Sequence, residues 1–494
     1  KKLIYLVFLV QFLLSGIITG LLFPPFFLLP IGFIIYPFLF YLLNSKEYTS
    51  LSYPFHFLSG LLYGLGLLTI LLVWIKEPFL LDSFTKKFSI LSYLLIFYCS
   101  LYFGLSFLIL KYFTNPISKF IILPVIFVAN EILIGNVVYG FPWISHSLIL
   151  SSNPLAFSTI YFWGTYGLSY VTITFFLFPA IFLFCKNVKF KIILTIYFIV
   201  FIFISTSSIL RSNKLDNVNV KKIKISLAQM NFSLNHKQNL DDLNVKYEKI
   251  LDVIRENASD ILIFAENNFP YLVKDNQEIL SLQNNLQQNT HLIIGSTRKE
   301  NDKFYNSLYS INNDTIHTFD KQILVPFGEF IPFRRFLKFM EIIAGSTDFA
   351  LGEGQRIVGI NDELNFIPAI CYEIIFFWKL INDENNNADF IINLTNDSWF
   401  GQLSGPYQHF YLSRLRAAEF NKPLIRVSNN GISAAIDNYG NIIDYIELNK
   451  KEVKEINIQI PELKNNFIYY HRFIFYFFIL LFLMGLFLNK KNDT

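Results

Sequence analysis

Cysteine is scarce in this chain, with three residues in 494. Cys99 and Cys185 fall inside apolar stretches, so Cys371 stands alone in the polar part of the sequence and a disulfide framework is excluded there. Charge is scarce as well. Charged side chains make up 16% of the chain and the net charge is +4, too mild a balance to hold a nucleic acid, and no stripe of Lys and Arg interleaved with aromatics runs through the polar part. Nucleic acid is therefore excluded as a partner. There is no internal repeat, and the richness in Asn and Lys reads as compositional bias. A small-residue cleavage site is missing after the first apolar segment, which follows Lys1-Lys2 directly and is too long for the core of a signal peptide. That segment is expected to be a retained first membrane helix.

What the chain has in abundance is apolar surface: 53% apolar residues and 18% aromatics, far more than a soluble protein of this length carries. Residues 3–209 are nearly continuous Phe, Leu, Ile and Tyr, whereas residues 213–460 read as ordinary soluble protein. Three segments follow: a transmembrane bundle over 1–212, a soluble-type domain over 213–462, and a C-terminal transmembrane helix with a cytoplasmic tail over 463–494. A hydrocarbon core needs roughly 20 apolar residues per helix, and eight stretches meet that measure: 3–22, 26–43, 54–75, 88–112, 118–138, 160–185, 190–209 and 467–488. The expected fold is a multi-pass α-helical membrane bundle of eight transmembrane helices, seven of them before an α/β extramembrane domain. With the N-terminus inside, cytoplasmic ends collect Lys1, Lys2, Lys46, Lys111, Lys119, Lys186, Lys189, Lys191, Lys490 and Lys491, against Lys76, Lys86 and Lys87 outside. The positive-inside rule then places residues 210–466 outside, in a bacterium the periplasmic face.

The soluble-type part alternates short strands with amphipathic helices. Ile223 to Leu227 is a strand, and Leu240, Leu243, Tyr247, Ile250, Leu251 and Ile254 line one helix face. Further strands are expected at Ile261 to Phe264, Leu292 to Ile294, Phe366 to Ile370, Phe390 to Leu394, Leu424 to Val427 and Ser433 to Ile436, with Asn438-Tyr439-Gly440 as a turn. Three reactive side chains sit at or near such strand ends, where α/β folds place their chemistry: Glu266 after Ile261 to Ala265, Lys321 at the head of Lys321-Gln322-Ile323-Leu324, and Cys371 after Ile367 to Ile370. A free thiol is only a few per cent ionised at neutral pH, so a neighbouring ammonium and a general base are what a cysteine nucleophile needs. Glu266 is the expected base, Lys321 the fixed cation, and Glu329 and Glu373 are second carboxylates expected to orient the ammonium and help position the base. Taken singly, each residue also reads blandly, as a small core cysteine, a solvated glutamate and a solvated lysine.

Longer stretches favour the first reading. Phe319-Asp320-Lys321-Gln322 through Pro326-Phe327-Gly328-Glu329-Phe330-Ile331-Pro332-Phe333 resembles the lysine segment of the carbon–nitrogen hydrolase (nitrilase) superfamily. Ile370-Cys371-Tyr372-Glu373 resembles its nucleophile segment, and Asn396-Asp397-Ser398-Trp399-Phe400-Gly401 with Pro406-Tyr407-Gln408-His409 the segment after it. Tyr305-Asn306-Ser307, Asp348-Phe349 with Gly352, and Arg426 through Gly431 also fit. In the apolar part, Phe23-Pro24-Pro25-Phe26, Glu131 and Gly140-Phe141-Pro142-Trp143 resemble the membrane half of the apolipoprotein N-acyltransferase family. Two departures stand out: Phe264-Ala265-Glu266-Asn267-Asn268 lacks the family's usual Trp-Pro before the glutamate, and Met230 and Gln238 stand where the family often has Gly and Trp.

The resemblance implies an αββα sandwich for the extramembrane domain and a two-step transfer without cofactor or metal. Cys371 would take an acyl group from a phospholipid, typically phosphatidylethanolamine, as a thioester, and pass it to the α-amine of a diacylated apolipoprotein. Glu266 would serve as base in both halves and Lys321 would hold the oxyanion; Glu329, Tyr372, Glu373 and Trp399 would support them, and Trp143, Phe333 and Phe336 would face substrate or lipid. The expected setting is the bacterial inner membrane, with the protein acting as a monomer on the bilayer. Phe333, Phe336, Leu337, Phe339, Met340, Ile342 and Ile343, broken by Arg334, Arg335 and Lys338, read equally as an interfacial segment or a buried helix, and Phe376-Phe377-Trp378 shares that ambiguity. A membrane-anchored hydrolase with the same residues would hand the acyl group to water. A transporter or scaffold would need intramembrane charge pairs, and Glu131 is the one clear intramembrane carboxylate.

Overall fold

The computed structural model describes residues 2–184, 188–189, 191–192, 195–196, 199, 219–233, 239–274, 277–341, 345–461 and 467–490. The chain divides into two compact units, Lys1–Lys76 with Lys86–Lys214 and Tyr469–Thr494, and Glu77–Thr85 with Leu215–Ile468.

In the first unit, four described helices are long and apolar enough to cross a membrane: Leu3–Gly20, Tyr53–Leu71, Thr85–Tyr112 and Pro116–Asn136. Glycine lets them approach closely. A Cβ on Gly16 would lie 2.0 Å from the Tyr63 carbonyl oxygen, and one on Gly60 would lie 2.3 Å from that of Phe103. The other expected spans depart from the ruler for local reasons. Leu29–Asn44 starts three residues after the expected 26, behind its N-cap Leu28, and runs 16 residues to Ser45. Pro154–Leu177 bends at Gly164 (φ 63), and Pro179–Phe184 is a separate short helix. The stretch 190–209 lies mostly outside the described residues, and Phe467–Lys490 closes the chain with a shorter apolar run, Phe473–Asn489. The expectation of eight full-length spans is thus met by four among the described residues. Glu131, which reads in sequence as a lone carboxylate, is buried and accepts hydrogen bonds from His146 N (2.8 Å), His146 Nδ1 (2.7 Å) and Ser169 Oγ (2.8 Å).

The second unit contains two six-stranded sheets. The first has the order β12-β1-β2-β3-β4-β5 and the second β11-β10-β9-β8-β7-β6. Its strands are β1 (Val220–Gln229), β2 (Ile261–Phe264), β3 (His291–Glu300), β4 (Lys303–Ile311), β5 (Ile316–Asp320), β6 (Val358–Asn361), β7 (Leu364–Ile370), β8 (Phe390–Thr395), β9 (Leu424–Ser428), β10 (Ser433–Ile436), β11 (Ile442–Ile446) and β12 (Glu452–Pro461). β1, β2 and β3 run parallel, as do β7, β8 and β9. Because both faces of the central strands are covered, they read as unbroken apolar runs. The helix Leu240–Glu256 starts at a capping box between Asn239 and Asp242 and packs Ile250, Leu251 and Ile254 on Leu262, Phe264, Leu292 and Ile294. Each such side chain contributes about 2 kcal/mol by leaving water. On the second sheet, Gly405–Phe420 packs against β9, and β4 touches β7 while β2 touches β9. The layers are helix, sheet, sheet, helix.

All seven expected strands form. β4, β5, β6, β11 and β12 have no counterpart among them. β12 alternates polar Glu455, Asn457 and Gln459 with buried Ile456, Ile458 and Ile460, and its pairing to β1 supplies the register that a polar segment hides. Among the described residues after the lysine motif, Lys338–Met340 is a 3-10 turn, with Phe333 and Phe336 at 77% and 81% exposure and Met340 buried; Ile342 and Ile343 lie outside the described residues. Phe376 and Phe377 are core residues and Trp378 packs edge-on against both rings.

Candidate active site

Glu266, Lys321 and Cys371 come from three strand ends: two residues past β2, directly past β5 and directly past β7. Cys371 adopts a left-handed conformation (φ 51), sparsely populated for a non-glycine residue, and opens the 3-10 turn Cys371–Ile375. All three are buried: 5% exposed for Glu266, 1% for Lys321 and 6% for Cys371. Lys321 Nζ lies 2.8 Å from Glu329 Oε1 and 3.6 Å from Glu266 Oε1. Glu329 Oε2 accepts the Val325 N–H at 2.8 Å, which ties its carboxylate to the loop it closes.

The three buried groups shift one another's proton affinity. Burial pushes the Glu266 carboxyl above its usual range, opposed by Lys321 and helped by Glu329. Burial works against charge on Lys321 too, but Glu329 and Glu266 outweigh it and hold the ammonium well above an ordinary lysine. Burial and the Glu266 carboxylate push the Cys371 thiol up, more than Lys321 and the Thr395 hydroxyl pull it down. In the buried site desolvation outweighs the pull of the Lys321 ammonium, so the Cys371 proton is held more tightly than on a free cysteine, where the sequence alone has the ammonium favour a thiolate.

The supporting residues fall into place unevenly. Glu329 pairs with Lys321 as anticipated by their spacing. Glu373 does not reach the ammonium. It is fully buried and accepts five hydrogen bonds: from Gln322 N (2.8 Å), Ile323 N (3.0 Å), Ile370 N (2.8 Å) and both terminal nitrogens of Arg356 (3.0 and 2.8 Å). It joins the backbone beside Lys321 to the backbone beside Cys371. Tyr372 is buried edge-on against Phe376, and half-buried Trp399 lies in the turn Asp397–Phe400. Trp143, expected to face substrate or lipid, is fully buried in the first unit, its ring 4.4 Å from Trp74 and stacked 6.1 Å from Phe141. An indole between two aromatic rings has more to gain inside than in lipid.

Sequence reasoning missed several residues around the site. Asn306 Nδ2 donates to Glu266 Oε1 and to Glu329 Oε1, each at 2.8 Å. Behind Cys371, Asp397 Oδ1 lies 2.8 Å from His409 Nδ1 and its Oδ2 accepts from Arg426 Nη2 at 2.6 Å, while His409 Nε2 is 3.3 Å from the Cys371 carbonyl oxygen. Although burial opposes it, Arg426 and His409 hold the Asp397 carboxyl at about 2. These residues lie within the motifs already quoted, but nothing in their spacing assigns them partners. Among the described residues no group of three or more His, Cys, Asp or Glu is placed to hold a metal ion.

Two facing sheets with helices outside and a Glu–Lys–Cys set on their strand ends make this a nitrilase-like domain, and the carbon–nitrogen hydrolase family model matches residues 224–465. The model of the apolipoprotein N-acyltransferase N-terminal domain matches residues 15–178. Among curated proteins, the apolipoprotein N-acyltransferase of Rickettsia typhi is 30% identical over 475 residues, covering 91% of each chain. That of Brucella melitensis is 27% identical, covering 91% of this chain and 89% of its own. Among solved structures, a nitrilase-superfamily protein of Saccharomyces cerevisiae is 19% identical, covers 49% of this chain and 90% of its own, and has a TM-score of 0.36. The chain belongs to the apolipoprotein N-acyltransferase family and is an acyltransferase.

Proposed function

We propose that Cys371 carries a fatty acyl group from a phospholipid to the α-amine of the diacylglyceryl-cysteine that begins an apolipoprotein. The convergence of Glu266, Lys321 and Cys371 in one buried site, with Lys321 between two carboxylates, is the observation that carries this reading. In the first half, Glu266 takes the thiol proton as the sulfur attacks the ester carbonyl. The oxyanion forms against the Lys321 ammonium. Collapse forms the thioester, breaks the ester C–O bond, and the departing alkoxide takes the proton from Glu266 to leave a lysophospholipid. In the second half, the amine attacks the thioester, Glu266 accepts its proton and returns it to the cysteine sulfur, and the product is an amide. Phosphatidylethanolamine is the donor proposed here, on the strength of the family resemblance.

The unit bearing Cys371 is proposed to stand on the periplasmic face of the inner membrane, in a chain whose apolar part crosses the bilayer up to eight times. Lysine distribution supports that orientation. Exposed Phe333 and Phe336, interspersed with Arg334 and Arg335, are suited to acyl chains and phosphates at the interface.

The test is to incubate purified protein with phosphatidylethanolamine and a synthetic diacylated lipopeptide. The expected products are lysophospholipid and N-acylated lipopeptide. Free fatty acid with no N-acyl product is the result that the hydrolase alternative requires, and it would overturn this reading.

A further inference from the structure

We infer that Asn306 is a positioning residue for the acyl transfer, holding the base Glu266 and the lysine partner Glu329 on one amide nitrogen so that a single Glu266 oxygen is left for the thiol. The inference rests on the reading of Cys371 as nucleophile. Asn306 lies on β4, one residue before Ser307, which pairs with Asp320. Its backbone oxygen accepts the Lys321 N–H at 2.8 Å, so the same residue that seats the lysine backbone also reaches both carboxylates. Its two amide hydrogens point at Glu266 Oε1 and Glu329 Oε1, each 2.8 Å from Nδ2. When ionised, both partners are acceptors only, which sets the amide nitrogen toward them. The Lys321 ammonium adds its contacts to the same two oxygens, at 3.6 and 2.8 Å.

The consequence concerns Glu266. Its Oε1 is committed to Asn306 and Lys321, which leaves Oε2 to receive the thiol proton. Asn306 is 2% exposed, so in the intact site its hydrogen bonds are made away from bulk water. A second consequence is charge control. Two buried carboxylates beside one ammonium leave a surplus negative charge, and the amide dipole is the neutral group that stabilises it. Without that donor, Glu266 binds its proton more tightly, since the hydrogen bond favours the ionised form. The charged and titratable groups around Glu266 are Lys321, Glu329 and Cys371.

The experiment measures single-turnover thioester formation on Cys371 of the full-length protein in detergent, with phosphatidylethanolamine as donor, across pH. It compares the wild type with Asn306→Ala and with Asn306→Ser, whose hydroxyl can serve only one carboxylate. For Asn306→Ala the expected result is a rate at saturating donor lower by about 30-fold, a KM within about twofold, and an acidic limb moved up by about 1 pH unit; Asn306→Ser is expected between the two. A rate and an acidic limb unchanged from wild type in Asn306→Ala overturn the inference. So does loss of the thermal unfolding transition in both variants, which makes Asn306 structural. A wild type that forms no thioester on Cys371 overturns the nucleophile reading itself, an outcome distinct from an unaffected variant.

Discussion

Gly295 is packed directly against Glu266: a Cβ at Gly295 would lie 2.7 Å from the Glu266 Cα and 2.7 Å from the Asn267 nitrogen. The Gly295 N–H also donates to the Ala265 carbonyl at 3.2 Å, so β3 fixes the loop that presents the proposed base. Backbone atoms at that distance cannot yield as a side-chain tip can. Gly295→Ala is expected to displace Glu266, lowering acyl transfer by about 100-fold while the protein still unfolds cooperatively. Wild-type turnover in this variant would mean that the loop tolerates the shift.

Glu373 predicts a different failure. Its buried carboxylate joins the half-buried backbone of Gln322 and Ile323 to buried Ile370 and Arg356. Glu373→Gln leaves the Arg356 guanidinium buried without its counter-charge and is expected to cost about 3–5 kcal/mol. Thermal unfolding and thioester formation should fall together, unlike in the Asn306 variants.

His291 predicts how stability depends on pH. Burial, together with the nearby His317, lowers its pKa to about 4, and its Nε2 lies 2.7 Å from the Ser310 hydroxyl. The unfolded imidazole titrates near 6.5, so between pH 6.5 and 4 the unfolded state binds the extra proton. The stabilisation is complete above pH 6.5 and is lost as pH falls toward 4, amounting to about 3 kcal/mol over that window. Unfolding measured from pH 7.5 to 4 should show this slope in the wild type and a shallower one in His291→Gln. Equal slopes would place the acid sensitivity elsewhere.

Phe333 and Phe336 are exposed, so replacing both with Ser should leave the melting temperature within about 2 °C, as surface substitutions do. The proposed interfacial role predicts weaker binding of the variant to phosphatidylethanolamine vesicles and a higher KM for lipid donor. Unchanged lipid affinity would remove that role.

The parts of the fold legible in the sequence are those where one-dimensional pattern and three-dimensional burial coincide. β2, β7 and β8 are apolar because both faces are covered, and the reactive residue after β2 and after β7 marks the strand end. Lys321 is legible through its motif. Asn306 is not, because an Asn in a Tyr-Asn-Ser run looks like a turn residue, and its role appears only once β4 pairs with β5 and the chain around Lys321 closes over it. The partners of Glu373 are not legible for a similar reason: proximity in sequence to Cys371 says nothing of the Arg356 side chain arriving from before β6. Trp143 misled in the opposite direction, since an aromatic in a polar-looking loop reads as an interface anchor until Trp74 and Phe141 enclose it. Helix length is not legible either, because composition does not report the late start at Leu29 or the breaks at Gly164 and Pro179.

The central claim is that an acyl group rests on Cys371 and leaves it for an amine. Mass spectrometry of the Cys371 peptide, after mixing the protein with phosphatidylethanolamine alone, tests this most directly. The account predicts a hydroxylamine-sensitive mass increase of one acyl chain, absent in Cys371→Ala and discharged as N-acyl product when diacylated lipopeptide is added. An unmodified Cys371 peptide, while the same sample converts lipopeptide to its N-acyl form, would contradict it.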